Sequence, residues 1–239
     1  DNSPLASSGL PSKNELELLN VWKDEIPAEV FTETFTPPIT DGSGNDRKNL
    51  LKAKEILEKE GWFVENGKLV KDGKEFKFEF LIVSPSDEKI ALAYQSNLKK
   101  LGITMDVRTV DSSQYQERLL SYDFDMIKRY WGVSLSPGNE QQFYWGSEVG
   151  QKDGSRNYPG INSPAVDALI EKLISATNRE ELTTAIHALD RVLLWGHYVV
   201  PLYHSNKDRI AYWDFFEYPD EIPLYGIVIE SWWINKDKQ

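Results

Sequence analysis

Residues 75 to 110 read as strand, helix and strand with almost nothing between them, and this restricts the chain to folds that contain parallel strands. From Glu75 to Val83, Phe76, Phe78 and Phe80 alternate before the run becomes wholly apolar, as a half-buried and then fully buried strand requires. Ser86 or Asp87 is placed to cap a helix to Leu101, whose Ile90, Ala91, Tyr94, Leu98 and Leu101 recur at helical spacing. Gly102 ends it, and Ile103 to Val110 alternates again. A strand, a helix and a strand joined by links this short form a right-handed βαβ unit. Asp111 then caps a helix to about Tyr122, and residues 124 to 130 form a third strand. The expected fold is α/β, a mixed sheet with helices on both faces.

The flanking segments are read by their punctuation. Ser12 and Glu15 have capping-box spacing, for a helix ending near Leu19. Prolines and glycines leave residues 24 to 46 irregular, and a helix over 47–60 places Leu50, Ala53 and Leu57 on its buried stripe before Gly61. Asn66-Gly67 and Asp72-Gly73 are hairpin turns around a strand at 68–70. Residues 131 to 162 form the longest loop-like stretch, and a loop of that length in a compact domain is usually functional. Ser163-Pro164 starts a helix with Val166, Leu169, Ile170, Leu173 and Ile174 inward. Asn178 starts another that buries Leu182, Ile186, Leu189 and Leu193, and 199–203 and 210–216 read as strands.

Composition removes several function classes. The net charge is -11 over 239 residues, so phosphate backbones and anionic membrane surfaces would be repelled, and no nucleic-acid partner is expected. There is no cysteine, which excludes disulfides and thiolate metal sites and is compatible with an oxidising compartment. No apolar run approaches the roughly 18 residues of a membrane span. Asp1 to Pro11 is polar and does not read as a signal peptide, so an exported form of the protein is expected to be represented here by mature material or a fragment.

No catalytic pattern survives inspection. Asp41, Ser43 and Asn45 open like a calcium loop, but Asp46 and Lys52 stand where glycine and glutamate are required. Ser96 and Lys99 have β-lactamase spacing without the companion motifs. His187, His197 and His204 include no pair at i, i+4, so no metal site is expected. Asp123 and Asp125 would point to opposite faces of a strand and could not flank one glycosidic bond. The chain is expected not to be an enzyme and to use no cofactor. A hydrolase built on Ser96/Lys99 or the aspartates is the weaker alternative, and an importer-docking module that holds no ligand is another.

Several segments, taken in order, resemble the family 5 extracellular solute-binding proteins of the oligopeptide, dipeptide and nickel type. They are Thr36–Gly42, Gly61-Trp62, Asn97–Ile103, Asp123–Met126 with Trp131-Gly132, Ser163–Ile170 and Val200–His204. Ser134–Gln141, Gly154–Asn157 and Asp190–Pro201 are similar to the subgroup that binds longer peptides and microcin C. The resemblance covers the C-terminal part of a longer family protein. It implies a periplasmic-binding-protein-like (type II) lobe over residues 1–203, and a segment, 204–239, that returns to a missing N-terminal lobe.

The resemblance also implies a function. Two lobes close over a peptide or peptide-like ligand in the periplasm, and the closed form delivers it to the permease and ATPase subunits of an ABC importer. The implied ligand-binding residues are Lys128, Trp131, Ser134, Asn139, Glu140, Trp145, Arg156 and Asn157. Trp131 would stack on ligand. Ser134 stands where oligopeptide binders carry the acid that pairs with the peptide ammonium, and Glu140 is the nearest acid in the loop. Arg156 suits a carboxylate or phosphate, or an internal ion pair that orders the loop. The aromatic tail, with Trp213, Phe215, Phe216, Tyr225, Trp232 and Trp233, is expected to fold back, to move freely, or to pair with a second copy, and self-association is the favoured reading.

Overall fold

The computed structural model describes residues 4–132, 136–150, 152–203, 207, 209–223 and 226–238. Internal contacts divide the chain into two units, Asp1–Tyr198 and Val199–Gln239.

The first unit opens with α1 (Lys13–Leu19), where Ser12 and Glu15 form the full capping box. A short helix, α2 (Glu29–Thr32), interrupts the segment expected to be irregular, and it buries Val30 completely. One turn of helix is enough to carry a valine into the core. α3 (Arg47–Lys59) follows, capped by Asp46, but none of its residues is buried. Its stripe of Leu50, Ala53 and Leu57 is only half-covered.

β1 (Phe63–Glu65), β2 (Lys68–Lys71) and β3 (Lys74–Glu75) form an antiparallel sheet. Its two tight turns place Asn66 and Asp72 at φ 51° each, the left-handed backbone that hairpin turns need.

β4 (Lys77–Ile82), α4 (Pro85–Lys99) and β5 (Thr104–Thr109) are the expected βαβ unit, with β4 and β5 parallel from Lys77↔Thr104 to Ile82↔Thr109. Ser84 caps α4, two or three residues before the cap expected from sequence, and Pro85 sits in its first turn. α5 (Ser112–Leu120) is capped by Asp111, which accepts from Ser113 N and Gln114 N. β6 completes a sheet of order β5-β4-β6, but it consists of Met126–Ile127 alone. The strand expected over 124–130 is therefore cut short. β6 is an edge, with a ladder on one side only, and Lys128 leaves it to reach an acid on α4.

The sheet is covered on both faces. Phe80, Ile82 and Met105 pack with Ala91, Tyr94 and Leu98 of α4, while Leu81, Ile127 and Phe124 pack with Tyr115 and Leu119 of α5. The period-2 pattern of β4 thus sends alternate residues to different helices. This is an α/β fold with parallel and antiparallel strands.

Residues 131–162 are more regular than expected, since they contain α6 (Glu140–Trp145) and α7 (Ser147–Gly150). α8 (Pro164–Ile174) and α9 (Arg179–Trp195) build an all-helical core with α1 and α2, centred on Leu19, Val30, Val166, Leu169, Ile170 and Leu189. Arg191 of α9 is 4% exposed. It donates to Glu15 Oε2 at 2.5 Å and to the carbonyls of Ser8, Gly9 and Leu10. Asp190 accepts from the backbone and hydroxyl of Ser7. One face of α9 therefore clasps the extended chain before α1.

The second unit has less regular structure than the sequence promised. The strands expected at 199–203 and 210–216 are replaced by one short pair, β7 (Phe216–Glu217) with β8 (Trp233–Ile234). β-branched and aromatic residues favour extended backbone, but a strand also needs a partner edge, and among the described residues only this pair has one. Trp213, Ile222 and Ile229 are exposed at 73%, 63% and 70%. Ile210, Tyr212, Tyr218, Ile222, Val228 and Trp232 line an apolar hollow of about 110 Å³.

Candidate ligand-binding site

In a parallel sheet, ligands bind beyond the carboxyl ends of the strands. Here that edge carries the first turn of α4 and the segment Lys128–Gly132. Lys128 forms an ion pair with Asp87, and the two side chains are only 11% and 14% exposed. The hydrogen bond to Asp87, with help from Tyr130, raises the Lys128 pKa further above its ordinary value. The ammonium also lies 5.2 Å from the Tyr130 ring centroid. Its charge is already matched within the protein.

Trp131 stacks on Trp145, with ring centroids 5.3 Å apart and planes 27° apart. Trp145 Nε1 donates to Gln141 Oε1 at 3.0 Å, and Tyr144 Oη donates to the Gly132 carbonyl at 3.2 Å. α6 therefore fixes an aromatic platform beside the strand end. The Trp131 Nε1–H is buried and has no partner among the described residues.

The remaining sequence-predicted residues are placed differently. Asn139 precedes α6 without a side-chain cap bond. Glu140 accepts from Gly138 N at 3.0 Å, so one carboxylate oxygen is used to fold the loop. Asn157 is fully buried, and its amide bonds Gly146 O, Ile161 O and Ile161 N at 3.0, 2.8 and 2.9 Å. It is a latch that holds two parts of this loop, Gly146 and Ile161, together and is not open to ligand. Arg156 is exposed and has no ion pair with a described residue. Ser134 lies outside the described residues, as does His204.

Two residues escaped the sequence reading. Asp87 passed as a helix cap, although an acid in the first turn after a strand end was a signal for the site. Arg129 belongs to no motif of its own in the sequence. Its guanidinium lies 4.7 Å from the Tyr158 ring centroid and donates to Tyr158 Oη at 3.2 Å.

The aspartates weighed for catalysis are structural. Asp125 Oδ2 accepts from Glu79 N at 2.8 Å, and Asp123 pairs with Arg118 at 2.8 Å. Among the described residues no cluster of His, Asp and Glu could hold a metal ion, and no helix is long and apolar enough to cross a membrane.

The family described as "Bacterial extracellular solute-binding proteins, family 5 Middle" matches residues 21–153, more than half of the chain. The chain belongs to family 5 of these solute-binding proteins. The protein y4wM of Sinorhizobium fredii is 50% identical over 232 residues, covering 96% of this chain and 35% of its own length. YejA of Agrobacterium fabrum, named "Probable peptide-binding protein", is 43% identical over 98% of this chain and 39% of its own length. From the same organism the peptidoglycan-binding protein YepA is 41% identical over 97% and 38%. The chain thus spans under two-fifths of these relatives. Among solved structures, the oligopeptide-binding protein AppA of Bacillus subtilis, in complex with a nonapeptide, aligns over 77% of this chain and 38% of its own, at 24% identity and TM-score 0.57. The nickel–histidine complex of NikZ from Campylobacter jejuni aligns over 78% and 38%, at 20% identity and TM-score 0.56. The fold is that of the type II periplasmic binding proteins, and family 5 is a solute-binding rather than an enzymatic family.

Proposed function

We propose that this chain is the C-terminal lobe of a periplasmic binding protein that takes up peptide-like solutes and delivers them to an ABC importer. The observation that carries the reading is the aromatic platform of Trp131 and Trp145 at the carboxyl end of a parallel sheet, in a family 5 chain. The names of its relatives support the ligand class, since one is called peptide-binding and another peptidoglycan-binding; both describe solutes with peptide bonds. Trp131, Trp145 and Arg156 form one wall of the cleft. Asn139 and Glu140 belong to the loop at its end, and Ser134 is a further ligand contact on this reading. The first unit is the lobe. The segment from about residue 204 rejoins an N-terminal lobe in the longer protein, and that lobe covers the apolar hollow. In the isolated chain a second copy covers it.

One wall of a cleft binds weakly. Losing about 4 kcal/mol of contacts turns a micromolar site into a millimolar one. Calorimetry with tri- to hexapeptides is expected to give no micromolar binding to this chain, and micromolar binding would refute the one-lobe assignment. In the full gene product, Trp131→Ala is expected to weaken peptide binding by at least about 2 kcal/mol. Unchanged affinity would remove the platform from the site.

A further inference from the structure

Most half-buried or buried cations in the first unit have an acid. Lys128 has Asp87, Arg118 has Glu79 and Asp123, and Arg191 has Glu15. Two lack one: Lys71 donates instead to the Glu60 carbonyl at 2.7 Å, and the other is Arg129. It is half-buried, yet it makes no ion pair with any described residue. Its Nε is buried without a hydrogen-bond partner among the described residues. What surrounds it is neutral, namely the ring and hydroxyl of Tyr158 on one side and the Tyr115 phenol on the other. Burial pushes the Tyr115 phenol up, and the nearby guanidinium opposes that rise.

A guanidinium withdrawn from water without a counter-charge is costly. In a chain of net charge -11, carboxylates are plentiful, so the lack of one here is a property of the site. The two tyrosines fix the plane of the fork. Arg129 follows the end of β6 and lies two residues before Trp131 in the chain. Arg156, also without an ion pair to a described residue, is two residues from Tyr158 in the chain.

We propose that Arg129 is the anion receptor of this site and takes a carboxylate on its guanidinium. Lys128 cannot fill that role while Asp87 neutralises it. The carboxylate is supplied by the end or an acidic side chain of a peptide-like ligand, or by a free small acid. The first source rests on the function proposed above.

The test follows the Arg129 Nε–H signal by NMR in the 239-residue chain, assigned by through-bond correlation to the Arg129 backbone. Acetate is the anion probe, against chloride at equal ionic strength. A mixture of tri- to hexapeptides with free carboxyl ends, and the same mixture capped as amides, is the ligand probe. Acetate is expected to shift the Arg129 signal saturably and to leave those of Arg118 and Arg191 in place. The free peptides are expected to shift it and the amides to do so about ten- to a hundredfold less readily. A response to acetate without a response to either peptide mixture keeps the anion site and sinks the peptide reading. Equal binding of free and amidated peptides, with an Arg129 signal indifferent to acetate, keeps the peptide reading and overturns the anion receptor. Because the readout is taken on the unmodified chain, a variant that fails to fold does not blunt it.

Discussion

Arg191 and Glu15 show how much one residue pair can decide. Arg191 serves one carboxylate and three carbonyls, so it ties α9 to α1 and to the chain before it. Arg191→Ala would leave a buried acid and several buried carbonyls without donors, and we expect a loss of about 3–5 kcal/mol in urea denaturation. The pH dependence has a definite sign. Burial alone would raise the Glu15 pKa, but the hydrogen bonds from Arg191 and Ser12 outweigh it and hold the value below the ordinary 4.5. A depressed acid contributes its stability above the unfolded value and loses it as pH falls through the lower folded one. The protein is therefore expected to lose stability below about pH 4.5, and Glu15→Gln is expected to flatten that slope. A slope unchanged by the substitution would mean the pair is not the source. Such pairs were not legible in the sequence. The capping box at Ser12 and Glu15 was, because both halves lie within one turn. The use of the same glutamate by a residue 176 positions away leaves no local pattern.

At the scale of elements, periodicity carried most of the information. The helices that became α4, α5, α8 and α9 were visible as stripes of apolar residues, and β4 as an alternation, because a two-sided or one-sided environment repeats along them. β6 was misjudged in length because its residues have strand propensity but its outer edge has no ladder. The helices α6 and α7 were missed because their short stretch is aromatic and polar, with too few turns for a stripe. The strands expected at 199–203 and 210–216 failed for the same reason as the end of β6. One junction offers a direct check. Gly102 has φ 80°, and a Cβ there would lie 2.8 Å from Leu69 N, the same amide that donates to the Gly102 carbonyl at 2.7 Å. This contact joins the β1–β3 hairpins to the α4–β5 turn. Gly102→Ala is expected to cost about 1–3 kcal/mol and to raise hydrogen exchange at Leu69. A neutral substitution would show that the hairpins are not anchored there.

For the molecule as a whole, family and fold were readable because many weak segment likenesses occur in the right order. The site was readable in part. Trp131 and Trp145 stood out as aromatics in a loop after a strand, whereas the burial of Asn157 and the pairing of Lys128 depend on residues far away in sequence. The two units differ in how well they are packed. The first has three apolar cores, and the second leaves Trp213, Ile222 and Ile229 largely in water. Amides of residues 209–223 and 226–238 are expected to exchange faster than those of α8 and α9. Removing residues 204–239 is expected to leave the first unit folded and to lower the average mass by light scattering. An already monomeric chain would count against self-association through the tail.

The central claim is that a peptide-like solute occupies a cleft of which this chain supplies one wall. Native mass spectrometry of the gene product, purified from its own cells without denaturation, tests it most directly. The account predicts bound species whose fragments are peptide-like, and their loss in Trp131→Ala. A ligand-free spectrum under gentle conditions, or bound species without peptide bonds, would contradict it.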